Sequence, residues 1–177
     1  MSDAITIRRL DTVGESAIAE LADVLIDCVA GGASVSFLHP LSPAKAEAFW
    51  RAVAAGVARG ERVLLVAEDV AGAVVGTVQV LTNQPENQPH RGDIAKMLVH
   101  RRARRLGLGA RLLAAAESAA RAAGKTLLVL DTVSGSDGDR LYSRHGWQAL
   151  GRIENYALWP NGEPCAATIF FKHLAPA

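Results

Sequence analysis

Residues 97–113, MLVHRRARRLGLGARLL, constrain this chain more than any other stretch of it. A short apolar run of strand character enters a loop carrying Arg101, Arg102, Arg104 and Arg105. Gly107-x-Gly109 follows, then a helix with Leu112, Leu113, Ala116, Ala120 and Ala123 on one face and Gly124 as its stop. Glycine lets a backbone approach a ligand and adopt conformations that a Cβ forbids. The first helical turn leaves N–H groups without partners beside the positive end of the helix dipole, which suits a pyrophosphate. Arginines on the same loop add bidentate, charge-assisted contacts. Two common nucleotide fingerprints do not fit: there is no G-x-x-x-x-G-K-[ST], and Leu112 stands where a dinucleotide turn has its third glycine.

The pattern on either side supplies a mixed sheet. Residues 4–10 alternate as a first strand, with Ile5 and Ile7 inward, and 15–29 carry helical spacing that ends at Gly31-Gly32. A loop over 31–40 precedes a second helix from Ser42-Pro43 to Arg59. Strands are expected over 63–68 and 74–81 as a hairpin, and over 93–99 after a polar loop at 82–92. The continuous run Leu127-Leu128-Val129-Leu130 predicts a buried strand of the parallel type. A short helix over 137–144 and strands near 147–156 and 165–171 complete the chain, with Pro160-Asn161-Gly162 as the last turn. The order is strand, two helices, three strands, helix, strand, helix, two strands: one α/β domain.

Composition narrows the partners. The net charge of +1 gives no overall field toward nucleic acid or membrane, and no apolar run reaches membrane-spanning length. Exposed aromatics are not interleaved with the arginines, which argues against nucleic acid. Cys28 and Cys165, far apart and in no ligand spacing, predict a reducing, cytoplasmic setting. The five histidines share no metal spacing, so no metal is expected. His100 and His145 read as solvated or helix-end residues, and Phe49 and Trp50 as packing residues.

The pattern Arg104-x-x-Gly107-x-Gly109 after the strand ending 97–99 resembles the GNAT acetyltransferase superfamily. The element order resembles that fold over nearly all 177 residues. The resemblance implies an α/β (α+β) GNAT fold: one domain over 1–177, with a mixed, mostly antiparallel twisted sheet of about seven strands flanked by about four helices. It implies acetyl-CoA as cosubstrate. The backbone of Met97, Leu98 and Val99 would pair with the pantetheine arm. Arg104, Arg105, Leu106, Gly107, Leu108, Gly109 and Ala110 would cradle the pyrophosphate. Arg101, Arg102 and Arg105 stay open between a 3′-phosphate contact and steering the cofactor inward.

Amine attack on a thioester needs a proton removed from the cationic amine, an oxyanion stabilised and a thiolate neutralised. In the superfamily the context DRLYSRHGW resembles one whose tyrosine faces the sulfur, which makes Tyr142 the candidate acid. Asp131, ending the buried strand, is the candidate for taking the amine proton or for only holding the ammonium. Where relatives often have Asn, this chain has Gly135, flanked by Ser134 and Ser136 as candidate substitutes. The backbone N–H of Val99 or its neighbour is the candidate oxyanion donor.

Residues 31–37 (GGASVSF), 127–136 (LLVLDTVSGS) and 155–172 (NYALWPNGEPCAATIFFK) resemble the tabtoxin-resistance type within that superfamily, whose substrate is a β-lactam amino acid toxin. Ser34, Ser36, Phe37, Gln79 and Lys96 are the candidate substrate-binding residues, with Trp159 also singled out. The expected function is N-acetylation of a primary amine on a small amino-acid-like or toxin-like molecule, by direct transfer in a ternary complex. A peptide or protein amine acetyltransferase and a non-catalytic acyl-CoA sensor remain open. A homodimer is open beside a monomer, because strand-edge dimers are common in such folds.

Overall fold

A computed structural model describes residues 5–175. Its strands are β1 (Thr6–Leu10), β2 (Arg62–Glu68), β3 (Val74–Leu81), β4 (Arg91–Val99), β5 (Leu127–Val133), β6 (Gln148–Leu158) and β7 (Pro164–His173). The helices are α1 (Glu15–Ala30), α2 (Pro43–Ala58), α3 (Leu108–Ala122) and α4 (Asp137–Arg144). One seven-stranded sheet runs β1-β2-β3-β4-β5-β7-β6 and is antiparallel except where β4 meets β5.

The helices form because their apolar residues repeat on one side. α1 buries Ile18, Leu21, Leu25, Cys28 and Val29, and α2 buries Ala46, Trp50 and Val53. Ser42 caps α2 by accepting from the Lys45 N–H at 3.3 Å, and Pro43 occupies the first turn, where a missing N–H costs nothing. These two helices close one core with Leu64, Val66 and Leu98. On the opposite face α3 packs Leu108, Leu112, Leu113 and Ala116 against Val78, Val80, Leu128 and Phe170. Gly76 makes that approach close: a Cβ there would stand 3.1 Å from Leu112 Cδ1 and 3.1 Å from the Leu98 carbonyl.

Several expectations need correcting. Arg91 and Gly92 belong to β4 rather than to the preceding loop, since they pair with Leu127 and Leu128. The arginine loop begins with a 3₁₀ turn at Arg101–Ala103 that periodicity does not reveal. Ala123 is exposed, and Glu117 joins the buried side of α3 in its place. The apolar run in β5 is parallel to β4 for three residue pairs only and antiparallel to β7 for seven. Ala4, read as the start of the first strand, lies outside the described residues.

Two irregularities position the site. β4 and β5 stay paired through Asp93 and Val129 and then part. Within β4, Leu98 pairs with Thr77 but Ala95 pairs with Gln79, so Lys96 and Met97 both oppose Val78 in a bulge. Lys96 sits there with φ 49°.

Candidate active site

The parted strands open onto a cavity of about 570 Å³. Ser34, Ser36 and Phe37 line it from the α1–α2 loop, Lys96 and Met97 from the β4 bulge, Asp131 from β5 and Tyr142 from α4. Residues expected from four separate stretches of sequence therefore share one space. Gln79 does not join them. It is 1% exposed on β3, where its Oε1 accepts from Arg62 Nη1 at 3.0 Å. Trp159 is not among the lining residues.

Tyr142 is 5% exposed, its ring 5.6 Å from that of Trp147 and 6.0 Å from that of Phe170. Burial, reinforced by the Asp131 charge, pushes its phenol well above the usual value, so it holds its proton. Asp131 is exposed to the cavity, level with Ala95 across the gap if the β4–β5 register is continued. Burial likewise disfavours the Lys96 ammonium, an effect that Asp131 opposes. Asp131 is thus within electrostatic reach of both Tyr142 and Lys96.

Below Asp93, β4 has β5 beside it; above, that side of the strand faces no other strand. The His100 N–H donates to the Val75 carbonyl at 2.9 Å, on the β3 side. Successive residues of a strand alternate direction, so the Val99 N–H points into the gap. The Val99 carbonyl accepts from Arg104 Nε at 3.2 Å and from the Cys28 thiol at 3.5 Å, which ties the arginine loop to the strand end.

The loop then turns through two left-handed residues, Arg105 (φ 63°) and Gly107 (φ 71°), into α3. Gly107 is the N-cap and offers no side chain, so no side-chain cap engages the first-turn N–H groups of Leu108, Gly109 and Ala110. Two of the arginines left open between a 3′-phosphate contact and steering are engaged with the protein itself. The Arg101 N–H and Nε each donate to Asp27 at 2.8 Å, and Arg102 Nη2 donates to the Val74 carbonyl at 3.4 Å. Arg104 and Arg105 instead act on Asp137 at the start of α4, whose carboxyl is held low by Arg140 first and by these two in lesser part.

The serines beside Gly135 are also committed. Ser134 Oγ lies 2.8 Å from Thr168 Oγ1, and Ser136 caps α4 by accepting from the Asp139 N–H at 3.2 Å. His145 Nδ1 lies 2.8 Å from the Leu141 carbonyl, and Trp50 is fully buried, as the sequence predicts for helix-end and packing residues. Sequence reasoning missed Thr132, Tyr156 and Leu158 in the lining. The alternation in β6 could have flagged the last two, had the hairpin been folded back onto the loop at 31–40. That closure rests on Ser34 Oγ donating to the Leu158 carbonyl at 2.6 Å and on the His39 N–H donating to the Pro160 carbonyl at 2.9 Å.

Parted strands, a helix N-terminus without a side-chain cap and a cavity with a buried phenol thus lie together on one mixed α/β sheet. Residues 21–147 match the model of the acetyltransferase (GNAT) family. An uncharacterized N-acetyltransferase from the hisH-hisA intergenic region of Azospirillum brasilense is 30% identical over 129 residues, covering 72% of this chain and 74% of that one. The chain belongs to the GNAT acetyltransferase family and is an acyltransferase. Its fold is similar to that of a phosphinothricin acetyltransferase from Sinorhizobium meliloti in complex with acetyl-CoA (TM-score 0.78, 17% identity, 97% of this chain and 89% of that one). It is also similar to yncA from Salmonella typhimurium, solved with its cofactor acetyl-CoA (TM-score 0.76, 19% identity, 98% of each chain).

Proposed function

We propose that this chain transfers the acetyl group of acetyl-CoA to the primary amine of a small, polar, amino-acid-like molecule by direct attack in a ternary complex. The observation that carries the reading is that Asp131, Tyr142 and Met97 of the parted strand line one cavity. Its volume of about 570 Å³ is that of a small-molecule site.

Met97 to Val99 would hold the pantetheine arm along the free side of β4. The N–H groups of Leu108, Gly109 and Ala110, with Arg104 and Arg105 near them, would hold the pyrophosphate. Acetyl-CoA supplies an already activated thioester, so no covalent relay through the protein is required. Asp131 takes the proton of the entering ammonium. A backbone N–H at the splayed end of β4, that of Val99 or its neighbour, would stabilise the developing oxyanion. Tyr142 holds a proton for the departing sulfur: burial raises the phenol above its reference of about 10 and would equally raise a thiol released into the same cavity above its reference of about 8.5, so both atoms favour the protonated form.

The phosphinothricin acetyltransferase among the similar structures and the resemblance to the tabtoxin-resistance type both favour a toxin-like amino acid as acceptor. A homodimer belongs to the same reading. β6 is an edge strand with Leu150 73% exposed and Ile153, Tyr156 and Leu158 also uncovered, a surface that favours association. Light scattering tests the dimer, and a monomer mass at working concentration removes it.

The deciding experiment is calorimetric titration of acetyl-CoA, then thiol release with amino acids, polyamines and β-lactam amino acids. Binding with amine-dependent release is expected. Binding without release from any amine would leave an acyl-CoA sensor, and absence of binding would overturn the reading of the loop at 104–110.

A further inference from the structure

The cavity lining holds one basic and one acidic side chain, Lys96 and Asp131. Lys96 is the less easily explained. It lies in the bulge of β4 in a left-handed conformation, which is strained for a non-glycine residue. Its Nζ donates to Ser36 Oγ at 2.9 Å, and Ser36 is itself left-handed, with φ 79°. The same Nζ lies 5.6 Å from the centroid of the Phe49 ring. Two strained residues from distant stretches thus meet at one end of the cavity.

The ammonium is nevertheless without an anionic partner among the described residues. Asp131 is felt at Lys96 but forms no ion pair with it, and Asp131 has no hydrogen-bond donor of its own there. A partly buried cation held in a fixed position with only a hydroxyl and an aromatic face for company gains most from an anion brought in from outside. Opposite charges at separate points of one cavity match a zwitterion.

We infer that Lys96, with Ser36, binds a carboxylate of the acceptor, so that the substrate class is an amino acid with its ammonium directed to Asp131 and its carboxylate to Lys96. Ser36 Oγ accepts from Lys96 and keeps its own proton to donate to the carboxylate. Lys96 is a specificity residue here: it touches the end of the substrate that does not react. The inference rests on the proposed acetyl transfer and adds the chemistry of the acceptor's second group.

The test compares each of a panel of amino acids with its α-carboxamide, in thiol release and in calorimetric titration into the CoA-saturated protein. Wild-type protein is expected to favour the amino acid about tenfold or more in kcat/KM and in affinity, the effect of a charge-assisted contact. Lys96→Met should raise KM for the amino acid by that factor, with kcat and the values for the carboxamide little changed, and Lys96→Arg should recover part of the preference. Unchanged acetyl-CoA affinity and circular dichroism establish that the variants fold. Equal use of acid and carboxamide by wild type, or equal loss of both in Lys96→Met, would overturn the carboxylate site while leaving acetyl transfer intact. If no amine releases thiol, the titrations still decide: binding of amino acids that does not depend on Lys96, or no binding, overturns the proposal.

Discussion

Trp147 Nε1 donates a 2.9 Å hydrogen bond to the carboxylate of Glu117, a residue of α3 that is 7% exposed. Lys172 Nζ donates to both oxygens of the same carboxylate at 2.8 Å, so the buried charge is paired and its lone pairs are used. The Trp147 ring in turn forms one wall of Tyr142. Helix, last strand and candidate acid are joined through one carboxylate. Replacing Glu117 by Leu leaves the Lys172 ammonium and the indole N–H without that acceptor, and should cost about 3 kcal/mol in urea unfolding. Glu117→Gln keeps an acceptor for Trp147 and should fall between. Equal stability of all three proteins would mean that the network contributes nothing net.

Tyr142→Phe removes only an oxygen, and the hydroxyl forms no hydrogen bond with another described residue. Stability and acetyl-CoA affinity should hardly change, while kcat falls on the order of 10²-fold, as for loss of a general acid. Because burial and Asp131 raise the phenol's value, wild-type activity should show no loss from Tyr142 ionisation up to the ordinary tyrosine range near about pH 10. A basic limb well below that range which disappears in Tyr142→Phe would contradict the assignment.

Gly107 and Gly109 separate conformation from contact. A Cβ at Gly107 meets nothing within 4 Å, but φ 71° disfavours any other residue, so Gly107→Ala should lose about 1 kcal/mol. Gly109 is helical, and its Cβ would rest 3.4 Å from Leu141 Cδ2, an ordinary contact, so Gly109→Ala should keep or raise stability. Both should weaken acetyl-CoA binding, the first by moving the helix start and the second by placing a methyl where the backbone approaches phosphate. Full affinity in Gly109→Ala would remove that position from the phosphate site.

Most of the element order was legible because it rests on local signals: apolar β-branched runs in β2 and β3, helical spacing in α1, and the glycines that precede α3, whereas Tyr142 was singled out by the resemblance of its surroundings to the superfamily. What escaped depends on contacts distant in sequence. Gln79 is a polar residue in an apolar strand, which suggests a site until its Arg62 partner is known. Arg101 looked free for phosphate because Asp27 lies 74 positions away. The bulge that turns Lys96 toward Ser36 exists only in the register of β4 against β3.

Asp27 gives stability a pH dependence of predictable sign. Burial opposes its ionisation, but the Arg101 N–H and guanidinium and the neighbouring His100 outweigh it and hold the carboxyl below the usual range. A carboxyl with a depressed folded-state value contributes stability above its unfolded value of about 3.9, and that contribution is lost as pH falls through the folded value. Asp27 fastens α1 to the start of the arginine loop, so acid should loosen that loop as it weakens the fold. Asp27→Asn should cost about 1 to 3 kcal/mol at pH 7, the worth of hydrogen bonds to a charged group. The difference from wild type should shrink steadily below about pH 4 as the wild-type carboxylate is protonated. Unfolding followed by intrinsic tryptophan fluorescence across pH 3 to 8 measures both curves, and a gap that stays constant over the acid range would show that Asp27 is not held ionised by Arg101.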